Sequence, residues 1–335
     1  MPARPLGADD PEEKGAPGHV RVVSSGPVAP PAADKYPPSV VLSGAMRSTL
    51  LVLLLVAFVA GCGGGTPAKD DPVEPELAKR FEFPRLGATL REGERTTRKG
   101  VVQAEIAYPS QGPDNVTGFI VRPPKPAKDA AGVVFMHGGG GRASDFVGEA
   151  HLLARRGAVA LTIDSPFTRS PDEAIREGKA DVDPTYETMV QNVQDLLRGL
   201  DILVTQYGVD PDRLAVVGYS MGAQPAALAA ALDPRVRALV LMAGRALPSG
   251  LPSDPHEREL FGAIDTVDYV DNLAPTHLLL QGAEFDSVIP RSEMEMLAGA
   301  ASEPKEIRWY QSDHDLGEQA GRERIAWLVD QLGLR

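Results

Sequence analysis

One cysteine among 335 residues leaves no internal disulfide to form. There is no excess of positive charge: 34 Lys and Arg stand against 46 Asp and Glu, a formal net charge of −12. An acidic surface repels nucleic acid and anionic headgroups, so neither is an expected partner. A neutral ester or a sugar is compatible with it. No apolar run is long enough to cross a bilayer as a helix. No segment repeats at a fixed period, and the lone cysteine and dispersed histidines lack the spacing of a zinc cluster. Oligomeric state is not legible in the composition.

The hydrophobic share of 43% is enough for one large core or two smaller ones. The longest apolar stretch, Leu50 to Ala60, has the length of a signal-peptide h-region. Met46-Arg47 before it forms a short positive n-region, and Val59-Ala60-Gly61-Cys62 follows it. This tetrapeptide resembles the bacterial lipobox. The resemblance implies diacylglyceryl attachment at Cys62, cleavage just before it, and an extracytoplasmic, lipid-anchored protein. A signal peptide starts a chain, so Met46 is the expected start. Residues 1–45, rich in Pro, Ala, Gly and charge, are expected to be disordered or a mis-annotated upstream segment. Residues 46–61 then form the signal peptide and 62–75 a lipidated flexible tether. One domain is expected over 76–335.

From residue 76 the pattern alternates. Val101–Tyr108 and Thr117–Arg122 are β-rich runs joined by a Pro/Gly/Asp turn, which predicts an antiparallel start. Short apolar runs of the kind buried on both faces follow at 132–137, 158–163, 213–218, 238–242, 277–281 and 306–310. Helical spacing lies between them, over Ser144–Arg156 with Ser144 as N-cap, Tyr186–Tyr207, Ala223–Leu232 and Arg322–Leu332. This alternation predicts an α/β fold, a mostly parallel central sheet with helices on both faces. Two less regular stretches, Pro166–Pro184 and Gly244–Asn272, are expected as small covers beside the site, with Phe167 near the pocket mouth.

Gly218-Tyr219-Ser220-Met221-Gly222 places a serine between the strand Leu214–Gly218 and the alanine-rich helix. Larger side chains two residues either way would crowd strand and helix, and a strained turn holds the serine forward. The helix N-terminus points at the serine, so the Met221 amide can donate to a developing oxyanion. His137-Gly138-Gly139-Gly140-Gly141 follows another strand end and lets bare backbone approach a carbonyl oxygen. Gly139 is the first choice for the second donor and Gly140 the next. His137 is expected to bond the loop rather than catalyse.

These motifs, in this order, resemble the α/β-hydrolase superfamily, with the glycine loop similar to the HGGG loop of esterases and lipases. In that fold the acid and then the histidine follow the serine. Three histidines qualify by order. His256 lies in a polar loop, His277 begins a strand at the wrong end, and His314 follows the last strand, where a general base belongs. Asp286-Ser-Val-Ile-Pro290 resembles the acid loop of dienelactone-hydrolase-like enzymes, as Val209-Asp-Pro-Asp-Arg213 resembles that group and the acetylxylan esterases. Asp286 is therefore the expected acid, with Glu284 the main competitor and Asp313 a weaker one. Dienelactone hydrolases use a cysteine nucleophile, so the serine here points to a general esterase. The resemblance implies hydrolysis of small acyl esters, acetylated carbohydrates among them, with no metal or organic cofactor. A prolyl-oligopeptidase-type peptidase and a non-catalytic binding protein on the same scaffold are the competing readings.

Overall fold

The computed structural model describes residues 73, 75–85, 87, 89–246 and 253–335. The expected upstream segment, signal peptide and lipidated Cys62 lie outside the described residues. The short helix α1 (Pro75–Lys79) leads into β1 (Arg91–Arg98), β2 (Val101–Pro109) and β3 (Asn115–Arg122). Strand–helix alternation begins with β4 (Gly132–Met136), α2 (Val147–Ala154) and β5 (Val159–Ile163). The short helices α3 (Pro166–Arg169) and α4 (Glu173–Arg176) precede the long α5 (Val182–Tyr207), then β6 (Leu214–Tyr219), α6 (Ala223–Leu232) and β7 (Val236–Met242). The chain closes with α7 (Pro255–Gly262), α8 (Val267–Val270), β8 (His277–Ala283), α9 (Arg291–Ala300), β9 (Lys305–Tyr310) and α10 (Gly317–Gln331).

Among the described residues, nine strands form one sheet in the order β1-β2-β3-β5-β4-β6-β7-β8-β9. Pairing is antiparallel from β1 through β3 to β5, and parallel from β5 to β9. Alternate residues of the central strands feed two cores, one on each face. Val134, Leu161, Val216 and Leu239 pack with Leu196 and Leu200 of α5 and with the alanines of α6. Val133, Ala160, Val217 and Val240 point the other way, against Leu153 of α2 and Leu328 of α10. Because both faces are covered, β4 and β5 are buried at every position, which is why they read as apolar runs without alternation.

The structure differs from the sequence pattern in four places. Strand β1, Arg-Glu-Gly-Glu-Arg-Thr-Thr-Arg, is exposed along nearly its whole length; as a polar edge strand it carries no hydrophobic periodicity to read. Ser144 is not a helix N-cap. A 3₁₀ turn occupies Ala143–Phe146 and the α-helix starts at Val147, with extended Arg142 capping the turn and Asp145 accepting its amide at 2.9 Å. Helix α5 begins at Val182, because Asp181 is extended and ends the preceding segment there. Helix α10 begins at Gly317 rather than Arg322, after Leu316 adopts a left-handed φ of 61°; its first turn is polar and carries no apolar signal. Both expected covers contain short helices, α3 and α4 in one, α7 and α8 in the other.

Candidate active site

The C-terminal ends of β6, β8 and β9 and the loop after β4 meet at one crevice. Ser220 stands directly after β6 with φ of 51°, the left-handed region for a non-glycine residue. Such strain persists only where the surroundings over-determine it, and here two glycines do so. A Cβ on Gly218 would lie 2.4 Å from the Gly222 carbonyl oxygen and 2.6 Å from the Ala226 Cβ. One on Gly222 would lie 2.3 Å from the His137 carbonyl oxygen. Gly222→Ala is therefore expected to push the serine turn off the glycine loop, costing about 2 kcal/mol by overpacking. Urea denaturation would measure the loss, and an unchanged midpoint would refute the contact.

Asp286, on the loop after β8, and His314, on the loop after β9, complete a chain of polar contacts. His314 Nε2 is 2.8 Å from Ser220 Oγ, and His314 Nδ1 is 2.9 Å from Asp286 Oδ2. The Asp286 side chain is 5% exposed and His314 17%. Asp286 Oδ1 also accepts the Val288 and Ile289 amides at 2.9 and 2.8 Å, which fix the carboxyl group in place beside the imidazole. The ring of His314 lies 5.3 Å from that of Tyr219, whose hydroxyl donates to the His314 carbonyl at 3.2 Å.

The rival acids have other work. Glu284 pairs with Arg291, whose guanidinium lies 4.0 Å over the Trp309 ring. Asp313 accepts the Ser287 amide at 2.8 Å and the His314 amide at 2.7 Å, tying the acid loop to the histidine loop. These hydrogen bonds hold its carboxyl below the ordinary value. The other histidines stand elsewhere. His256 is on α7, 2.8 Å from Asp183, and His277 opens β8 at the end of the strand opposite the crevice. Residue order marked the acid loop but could not reveal Asp313 as a brace, because that role depends on two loops meeting.

A cavity of about 520 Å³ opens on the serine, with Gly139, Gly140 and Met221 in its lining. Phe167, Ile175, Met189, Phe261, Ile264 and Val288 supply apolar walls from both covers, from α5 and from the acid loop. Arg176, Glu177 and Arg245 bring charges of both signs to its lining. Hollows of about 570 and 650 Å³ lie against the segment from Phe81 to Arg85 and beside Asp201 and Asp233. Neither is lined by a serine or a histidine. Among the described residues, no group of three or more His, Cys, Asp and Glu side chains is placed to hold a metal ion.

A parallel sheet covered on both faces, with a serine on the turn from β6 to α6 and an acid and a histidine beyond later strands, defines a hydrolase of the α/β class. The chain belongs to the alpha/beta hydrolase family, whose model matches residues 133–329. Alpha/beta hydrolase psoB of Aspergillus fumigatus is 29% identical over 187 residues, covering 54% of this chain and 39% of that protein. The chain thus spans well under half the length of that relative. Among solved structures, the acetyl xylan esterase of Paenibacillus sp. R4 is similar in fold, with a TM-score of 0.62 at 20% identity over 76% of this chain and 90% of that one. Acetyl xylan esterase 1 of Thermoanaerobacterium sp. JW/SL YS485 aligns with a TM-score of 0.61 at 16% identity, over 78% and 95% of the two chains. A Klebsiella pneumoniae protein proposed to be a dienelactone hydrolase aligns at 0.55 and 20% identity, over 70% and 98%.

Proposed function

We propose that this protein is a serine esterase cleaving small acyl esters, acetylated carbohydrates among them, through an acyl-enzyme. The observation that carries the reading is the continuous contact Ser220 Oγ, His314 Nε2, His314 Nδ1, Asp286, opening on a cavity with a glycine loop opposite the serine. His314 takes the proton of Ser220 as Oγ bonds to the ester carbonyl carbon. Asp286 holds the imidazole with its proton on Nδ1 and stabilises the imidazolium. The amides of Met221 and Gly139 receive the oxyanion, with Gly140 the alternative to Gly139. The tetrahedral adduct expels the alcohol, which takes its proton from His314. Water, deprotonated by the same histidine, then releases the acid and restores Ser220.

A preference for small acyl esters carries its own test. Hydrolysis of p-nitrophenyl esters should fall as the chain lengthens from acetate to octanoate. A fluorophosphonate probe should label Ser220 alone. Labelling elsewhere, or equal rates for wild type and Ser220→Ala on p-nitrophenyl acetate, would remove the reading. We further propose that Cys62 carries a lipid that holds the domain at the outer side of a bacterial membrane, supported by the sequence around it. Mass spectrometry of the mature N-terminal peptide tests this, and an unmodified Cys62 with residues 46–61 still attached would refute it.

A further inference from the structure

Behind the glycine loop lies a buried hydrogen-bonded chain that the acyl-transfer steps do not use. His137 is 1% exposed, and its Nε2 lies 2.9 Å from the backbone nitrogen of Ser165. A backbone N–H can only donate, so Nε2 accepts and the imidazole proton sits on Nδ1. Burial lowers the pKa of this imidazole, which favours the neutral form that the contact requires. Nδ1 lies 2.8 Å from the Gly138 carbonyl oxygen, to which it donates, and the same oxygen accepts the Gly141 amide at 3.1 Å.

Ser165 is itself held from α5. Its Oγ accepts from Asn192 Nδ2 at 3.1 Å and from the Phe167 amide at 3.3 Å. Ser165 and Asn192 are both fully buried. Asn192 Oδ1 has no hydrogen-bond partner, although Met189, Val193 and Leu196 are buried beside it and the polar Asp195 one turn on is fully engaged by Ser110 and Arg169. A half-satisfied amide in such a place costs stability, so packing does not account for it. Two further bonds tie the loop to the segment after β5. Thr168 Oγ donates to the Gly141 carbonyl at 3.2 Å, and Asp164 accepts the Ala143 amide at 2.8 Å.

The consequence lies in one peptide unit. In a planar trans peptide the carbonyl and the N–H point in opposite directions. Holding the Gly138 carbonyl on the His137 side therefore turns the Gly139 N–H to the other side. Gly139 stands beside the serine turn: a Cβ built on it would lie 3.8 Å from the Met221 sulfur and 4.0 Å from the Met221 Cβ. Among the described residues, no backbone acceptor receives the Gly139 amide. Consecutive glycines have little intrinsic preference against the flipped peptide, and a flip would present a carbonyl oxygen to the oxyanion.

We propose that Ser165 and Asn192 are positioning residues for the oxyanion amide of Gly139, acting through the His137 imidazole. The proposal rests on the acyl-transfer reading above for its catalytic effect, but its geometry can be tested apart from activity. Long-range ¹H–¹⁵N NMR should show His137 as the Nδ1–H tautomer; an Nε2–H tautomer overturns the proposal even if the protein hydrolyses esters. His137→Gln keeps an acceptor near the Nε2 position but loses the donor to Gly138. It should lower kcat on p-nitrophenyl acetate by about 10- to 100-fold, with KM little changed and the affinity for a boronic acid falling in parallel. His137→Asn retains a donor at the Nδ1 position but loses the acceptor for the Ser165 amide, so its kcat should fall between those of wild type and His137→Gln. Asn192→Ala should lower kcat and boronate affinity together by a smaller factor. Variants that melt earlier yet keep wild-type kcat and boronate affinity would reduce the chain to a structural role. A wild type that hydrolyses no ester and takes no fluorophosphonate would instead overturn the esterase reading and leave the tautomer result standing.

Discussion

Replacing Ser220 by alanine is expected to lower kcat on p-nitrophenyl acetate by on the order of 10⁴-fold or more while leaving the fold intact. The size follows from what the hydroxyl does. In the proposed mechanism it supplies the nucleophile for a covalent intermediate, and without it the remaining groups can only polarise the ester toward attack by water. Little structural cost is expected, because Ser220 is only half-buried and its Oγ contacts His314 rather than the core. Alanine would inherit the left-handed backbone, which the flanking glycines and packed turn continue to impose. Loss of fluorophosphonate labelling together with an unchanged circular dichroism melt would separate lost chemistry from lost structure. Residual turnover within a few-fold of wild type would show that another group is the nucleophile.

Asp286→Asn should come next in effect, lowering kcat by on the order of 10³- to 10⁴-fold. An asparagine amide facing His314 Nδ1 favours the wrong tautomer: the proton moves to Nε2, and the ring can no longer take one from Ser220. The carboxylate that would stabilise the imidazolium in the proposed mechanism is lost as well. Glu284→Gln is the control the geometry supplies. Glu284 is spent on Arg291, two residues along the chain from Asp286 but without contact to the histidine. Its replacement should change kcat by no more than a few-fold. The reverse outcome, a large loss with Glu284→Gln and a small one with Asp286→Asn, would transfer the role of acid to Glu284. The pair of measurements is decisive because both carboxylates sit on the same loop and share its contribution to folding.

Much of the scaffold was legible because burial on both faces leaves a simple trace. Strands β4 to β8 are short apolar runs with helical spacing between them, and such strands pair in parallel when the connections are helices. The edge was not legible. Strand β1 is held by backbone bonds to β2, and those bonds demand nothing of its side chains. Helix starts were likewise shifted where the first turn is polar, as in α10, or where capping falls on an unexpected residue, as at Arg142 ahead of the 3₁₀ turn.

The site divides the same way. Ser220, the two glycines around it and the glycine loop were marked by local sequence, because a tight strand–helix turn and a bare-backbone loop each impose residue types on neighbours in the chain. Asp286 and His314 were narrowed by order and loop position alone. What only the tertiary structure decided is which carboxylate meets the imidazole, how Asp313 braces the two loops, and how Ser165 and Asn192 reach the glycine loop through His137. Local steric demands are written in adjacent residues. Hydrogen bonds between segments far apart in the chain depend on how the sheet brings strand ends together, and no local pattern records them.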